Sequence, residues 1–190
     1  MRAFIAIDIK NEELLTNFRK LQSIFSSLKP DIKLISPNNL HLTLSFLGEI
    51  TIDEYKKISS KLNDIKFNKI NVVYNDLGVF PSRNNIHVIW IGFTPDSEAH
   101  LKNLSKVIDE KLSCIEIYEN KPFHPHITIA RIKNNKNIDK LLNSIDSMKN
   151  QYFGSEIFDN ITLKSSTLTP DGPIYRDLFT KSLSGDILNE

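Results

Sequence analysis

The chain carries one cysteine, one tryptophan, only six glycines, and no surplus of either charge. Cys114 alone cannot close an internal disulfide or form a CxxC motif for metal or redox work, which suits a reducing compartment. A lone thiol in apolar surroundings is inert, so Cys114 is expected to be buried packing. Lys and Arg number 24 against 23 Asp and Glu, a net charge of +1. Proteins that grip a long polyanion usually show a basic surplus, because each phosphate they neutralise adds affinity by releasing counterions. The balance argues against that class. A small phosphate-bearing molecule, or one end of a nucleic acid, still fits a locally basic cleft in a nearly neutral protein. Long apolar runs are missing too. MRAFIAIDIK is broken by Asp8 after five apolar residues, short of a signal-sequence core and far short of a membrane span. The expectation is a cytoplasmic protein without a membrane partner.

What is present reads as one folded unit over residues 1–190, either one core or two small lobes sharing an interface. RAFIAID reads as a strand. Asn11 stands as N-cap before EELLTNFRKLQSIFSSL, where Leu14, Leu15, Phe18, Leu21, Ile24, Phe25 and Leu28 recur at helical spacing. An extended DIKLI, a polar turn SPNN and the strand LHLTLSFLG follow. Thr51 and Glu54 form a capping-box signature for a helix to about Leu62. INVVYNDLGVF and NIHVIWIGF read as strands paired across PSRNN. A helix is expected from Ser97 to Leu112, then the strand HITIARI, the loop KNNKN and a helix from Ile138 to Met148. ITLKSSTL and IYRDLFTKSL close the chain as strands around TPDGP. The order suggests two successive halves of strand and helix units, each contributing one histidine strand.

Those strands repeat one theme. HLTLSFLG places His41 two residues before Thr43, and HPHITIARI places His126 two residues before Thr128. In a strand, residues i and i+2 share a face, so each stretch offers an imidazole beside a hydroxyl, anchored from behind by aliphatic residues. With 9 threonines among 190 residues, a Thr two places after a given His is a chance event of about 5%. One such pair is weak evidence, but two of them half a chain apart are strong. A hydroxyl can donate to a phosphoryl oxygen, and an imidazole with a pKa of about 6.5 can give or take a proton near neutrality. Two copies make an acid and a base, each proton transfer contributing about 10²- to 10⁴-fold.

At these residues the sequence resembles the two-histidine phosphoesterases, defined by two HxTx tetrads, and within them the RNA 2′,3′-cyclic phosphodiesterases. MRAFIAID, HLTLSFLG, LGVFPSRNNIHVIWIGF, PFHPHITIAR and LTPDGPIYRDL are similar to successive segments of that branch, so the likeness covers most of the chain. The resemblance implies an α+β bilobal fold, with two antiparallel-sheet lobes and outer helices related by a pseudo-twofold axis around a central cleft. It implies a monomer acting on RNA 3′ ends or small cyclic nucleotides, without metal, cofactor or obligate protein partner. His41 would be the proton donor and His126 the proton acceptor, an assignment that nothing in the near-identical tetrads fixes by itself. Thr43 and Thr128 would hold phosphate oxygens, and the product would be a 2′-phosphate. Action on another phosphodiester, reversal to join RNA ends, and non-catalytic binding of an RNA end all stay open.

Arg131 resembles the second-motif arginine, where a fixed guanidinium would stabilise charge on phosphate oxygens; the alternative is a surface arginine capping a strand. His124 suggests a metal pair with His126, but a zinc site needs a third ligand and none is evident, so it is read as a rim residue. His87 and His100 are read as structural, Trp90 as core. Phe46 and Tyr175 offer rings for a base, with core packing the favoured reading.

Overall fold

The computed structural model describes residues 1–28, 31–119, 122–134, 138–170 and 172–189. Parts of the expected loops KNNKN, at 135–137, and TPDGP, at 171, lie outside the described residues. In chain order the elements are β1 (Arg2–Asp8), α1 (Glu12–Ser27), β2 (Ile32–Leu34), a single 3₁₀ turn (Pro37–Asn39), β3 (His41–Glu49), α2 (Ile52–Asn63), β4 (Lys69–Ser82) and β5 (Asn85–Phe93). There follow α3 (Pro95–Leu112), β6 (Ile127–Ile132), α4 (Asp139–Ser147), β7 (Tyr152–Phe158), β8 (Asn160–Thr169), β9 (Gly172–Ser182) and β10 (Ile187–Leu188).

Local signals set the helix starts. Asn11 Oδ1 accepts from the Glu13 and Leu14 amides at 2.9 and 3.2 Å, and Thr51 with Glu54 closes the capping box in both directions. α1 buries Leu14, Leu15, Phe18, Leu21 and Phe25, whereas Ile24 falls on its outer edge and is half exposed. Gln22, between two of these positions, is buried as well.

The strands form one sheet in the order β10-β4-β5-β6-β3-β1-β8-β9, with β2 added to β6 and β7 to β4. It divides into two lobes: β3, β1, β8 and β9 on one side, all antiparallel, and β6, β5, β4 and β7 with the short β2 and β10 on the other, antiparallel except that β10 runs parallel to β4. α1 packs on β6 and β7, α3 and α4 on β4, and α2 on α3 and β9. The lobes are not successive halves of the chain. β1 is buried along Ala3–Ile7 and needs a partner on each edge; β3 supplies one and the distant β8 the other, through Ala3↔Ser165 to Ala6↔Thr162. The first lobe is therefore built from both ends of the chain. Two strands, β7 and β10, were not evident in the sequence. Among the described residues no helix is long and apolar enough to cross a membrane.

Cys114 is exposed, not buried. It stands just past Leu112, the last buried residue of α3, in a turn that faces solvent. Trp90 is half-buried and lies flat on two glycines of its own sheet. A Cβ on Gly78 would fall 2.0 Å from Trp90 Cζ2, and one on Gly92 would fall 2.9 Å from Cζ3. Gly78→Ala is therefore expected to expel the indole and destabilise the protein by about 1–3 kcal/mol, the usual cost of overpacking. An unchanged melting temperature would contradict this.

Candidate active site

β3 and β6 lie at the centre of the sheet, yet among the described residues they pair at one position, Leu42↔Ile127. β6 gives the rest of that edge to β2, through Lys33↔Arg131 and Leu34↔Ala130. The lobes thus part beside the joint, and a cleft of about 970 Å³ opens over it. Both joint residues are fully buried, and each is the second residue of a tetrad. Continuing the antiparallel register one residue either way sets His41 across from Thr128 and Thr43 across from His126. Both tetrads thus present an imidazole and a hydroxyl to one cleft; in regular pairing each imidazole would face the other tetrad's hydroxyl and the two imidazoles would be diagonal neighbours, about 7–8 Å apart. His41, Thr43, His126 and Thr128 all stand half-buried on the cleft wall, while Leu42, Leu44, Ile127 and Ile129 are buried behind them. His126 immediately precedes β6 and does not lie within it.

The two rings are held in the same way. His41 Nδ1 lies 2.7 Å from the Asn39 carbonyl oxygen, and His126 Nδ1 lies 2.6 Å from that of His124. A carbonyl only accepts, so Nδ1 carries the proton in each ring and Nε2 is left for chemistry. Aromatic rings back both: Phe4 and Tyr175 at 5.1 and 5.2 Å from His41, and Phe80 at 5.0 Å from His126. Burial is the main influence and takes both pKa values below the ordinary 6.5, opposed by the bond from Nδ1 to the carbonyl.

Beyond these shared causes the rings differ. The Asp8 carboxylate, opposite His41 in the β1–β3 register, favours the charged ring, while Lys164 and His126 disfavour it. At His126 the further influences are His124 and Arg131, both of which disfavour the charge. Lys164 is itself fixed, its Nζ 2.6 Å from Asp8 Oδ2 and 2.6 Å from Asp177 Oδ1.

Arg131 lies three residues after Thr128, and in a regular strand it would point to the opposite face. β6 carries a bulge instead: Trp90 pairs with Thr128 and Ile89 with Ala130, so Ile129 is extra and the facing beyond it reverses. Arg131 then lines the cleft. Buried Gln22 locks the bulge, its Nε2 donating at 2.8 Å to the Ile129 carbonyl and at 2.8 Å to that of Ile35. Gln22→Leu would strip a donor from two carbonyls and is expected to cost about 1–3 kcal/mol of stability. It should also lower kcat/KM as Arg131 loses its bearing; a variant with unaltered melting and turnover would show that the bulge needs no lock.

β3 repeats the device. Ala6 pairs with Thr43 and Ile5 with Ser45, so Leu44 is extra, and Phe46, three residues after Thr43, lines the cleft as the counterpart of Arg131. Phe46 is 65% exposed, and Tyr175 is half-buried beside His41, so neither is core as the sequence favoured. The equal spacing after each threonine was the available signal for Phe46. No signal marked Tyr118, in the irregular segment after α3. Its hydroxyl donates to Asp109 and accepts from Ser45 Oγ at 3.3 Å on the cleft wall. Burial, then the Asp109 bond, push that phenol up to about 12. His124 is exposed at the wall, His87 is exposed away from it, and His100 is half-buried, its Nε2 3.4 Å from the Asn189 carbonyl. Among the described residues no three His, Cys, Asp or Glu side chains gather as metal ligands.

The family profile described as AKAP7 2′5′ RNA ligase-like domain matches residues 3–178. The RNA 2′,3′-cyclic phosphodiesterase of Methanocaldococcus jannaschii is 39% identical over 175 residues, covering 92% of this chain and 96% of that protein. The protein of the same name from Thermotoga maritima is 30% identical over 191 residues, 99% of this chain and 98% of that one. Among solved structures, Escherichia coli LigT in apo form superposes with a TM-score of 0.76 at 23% identity, over 97% of this chain and 98% of that one, which shows the fold. A profile match across nearly the whole chain, joined to relatives alike from end to end, puts this protein in the 2′5′ RNA ligase-like family: it belongs to the two-histidine phosphoesterases.

Proposed function

We propose that this chain opens 2′,3′-cyclic phosphates at RNA or nucleoside ends to 2′-phosphates, with His41 as proton donor and His126 as proton acceptor. The observation that carries this reading is the pairing of Leu42 with Ile127, which sets both tetrads on the wall of one cleft, with two available Nε2 atoms and two hydroxyls. Water attacks phosphorus opposite O3′ and gives its proton to neutral His126. The P–O3′ bond breaks, and O3′ takes the proton of the His41 imidazolium. The Asp8 carboxylate beside His41 and the positive charge of Arg131 near His126 support donor and acceptor in that order. Thr43 and Thr128 donate to the non-bridging oxygens, Arg131 offsets their charge, and Phe46 and Tyr175 offer faces to the terminal base. The names of the relatives support the substrate class. The chain works as a single bilobal domain and a monomer, in the cytoplasm, and without a metal.

The experiment is incubation of a nucleoside 2′,3′-cyclic phosphate with the protein in EDTA, with products resolved against 2′- and 3′-nucleotide standards. Turnover to the 2′-nucleotide is expected. Loss of turnover in EDTA, restored by added metal, would sink the metal-free mechanism, and stoichiometric binding without product would make the cleft a binding module. The ligase-like description of the family favours one second reading, in which an RNA 5′-hydroxyl replaces water and leaves a 2′,5′ linkage. Supplying such an RNA in the same assay distinguishes the two.

A further inference from the structure

The cleft does not end at the histidines. A second hollow of about 580 Å³ shares His41, Phe46, Arg131 and Tyr175 with it and runs on past Arg2, Ser166 and Leu168. The strand register explains that path. Ser166 pairs with Tyr175, and continuing the Ala3↔Ser165 pairing by one residue sets Arg2 beside Ser166. Arg2, Ser166 and Tyr175 thus form a row across β1, β8 and β9. Ligand pockets for one small molecule run to roughly 300–1,000 Å³, and the main cleft, at about 970 Å³, already fills that range before the second hollow is added.

The lining of this arm is of two kinds. Leu168 is 69% exposed at its rim, an apolar surface open to solvent. Arg2 is exposed, and its charge reaches Tyr175, opposing the upward push of burial on that phenol. An apolar face beside a guanidinium matches a base beside a phosphate. Glu119, on the wall common to both spaces, is wrong in sign for a phosphate but suits a ribose hydroxyl or a base amine. An RNA whose last phosphate is cyclised continues only through the terminal 5′ oxygen, so a strand held between His41 and His126 must leave by one arm of the cleft.

Resting on the hydrolytic reading above, we propose that this arm binds the nucleotide on the 5′ side of the cyclic phosphate. Its linking phosphate lies on Arg2 and its base against Leu168, and the preferred substrate is an RNA end of two nucleotides or more. The test compares kcat/KM for a nucleoside 2′,3′-cyclic phosphate with that for a dinucleotide ending in the same cyclic phosphate, in wild type, Arg2→Gln and Lys33→Gln, Lys33 being a cation that lines the main cleft but not the second hollow. Wild type should favour the dinucleotide about tenfold or more, the worth of one charge-assisted contact. Arg2→Gln should abolish that preference while turning over the mononucleotide as wild type does, which also shows that the variant is folded. Lys33→Gln should keep it. Equal kcat/KM for both substrates, an equal loss on both in Arg2→Gln, or loss of the preference in Lys33→Gln instead would overturn the proposal. If wild type hydrolyses neither substrate, the hydrolytic reading fails, and this one with it.

Discussion

Replacing His41 or His126 by Ala should lower kcat on a 2′,3′-cyclic nucleotide by about 10²- to 10⁴-fold in each case, or roughly 3–5 kcal/mol of transition-state stabilisation. The double variant should be scarcely slower than the worse single one. The two imidazoles act on one phosphorus in one displacement, so once either proton transfer is lost the other has little left to assist. What survives is the positioning supplied by Thr43, Thr128 and Arg131. Both rings are half-buried against aromatic neighbours, so circular dichroism must show each variant folded before its rate is read. Single variants within a few-fold of wild type would remove the histidines from the chemistry. A double variant whose loss is the product of the two would mean that each stabilises the transition state independently of the other.

Arg131→Met should cost about 10²- to 10³-fold in kcat/KM, the usual loss when one preorganised donor to a developing oxyanion is removed. Stability should change by no more than about 0.5 kcal/mol, because the side chain is exposed. A second effect separates a role at the site from a general disturbance. Burial chiefly lowers the His126 pKa and the Arg131 charge adds to it, so without the guanidinium that pKa rises and the acid limb of the pH profile moves to higher pH. Arg131→Lys keeps the charge but loses the planar fork, and should recover the limb's position more fully than the rate. A rate loss without a limb shift would place Arg131 away from His126.

The tetrads were legible in the sequence because their facing follows from strand periodicity, and the aliphatic positions behind them are buried as that periodicity requires. The third position after each threonine was harder to read. The bulges at Leu44 and Ile129 reverse the facing of Phe46 and Arg131, and a bulge depends on its partner strand, and at Ile129 on Gln22 as well, not on the local pattern. The lobes were mistaken for halves of the chain because the pairing of β8 with β1 is long-range and leaves no trace at either strand. β7 was hidden by Gly154, which adopts φ +136 inside it and breaks the apolar alternation. Cys114 was misplaced because a general tendency of thiols to be buried takes no account of where α3 ends.

The pH dependence of kcat/KM in wild type, His41→Gln and His126→Gln tests the division of labour most directly. Burial lowers both imidazole pKa values, so the wild-type bell, whose limbs report the free enzyme, should peak on the acid side of the ordinary histidine value of about 6.5. The limbs are macroscopic constants of the pair if the rings interact. A bound phosphate anion favours the charged rings, so the kcat bell should lie at higher pH. Without His41 no imidazolium remains to be deprotonated, and the alkaline fall should vanish. Without His126 no neutral base remains to be protonated, and the acid fall should vanish. The complete bell in both variants would contradict acid–base catalysis by these histidines, and limbs lost in the reverse order would exchange their roles.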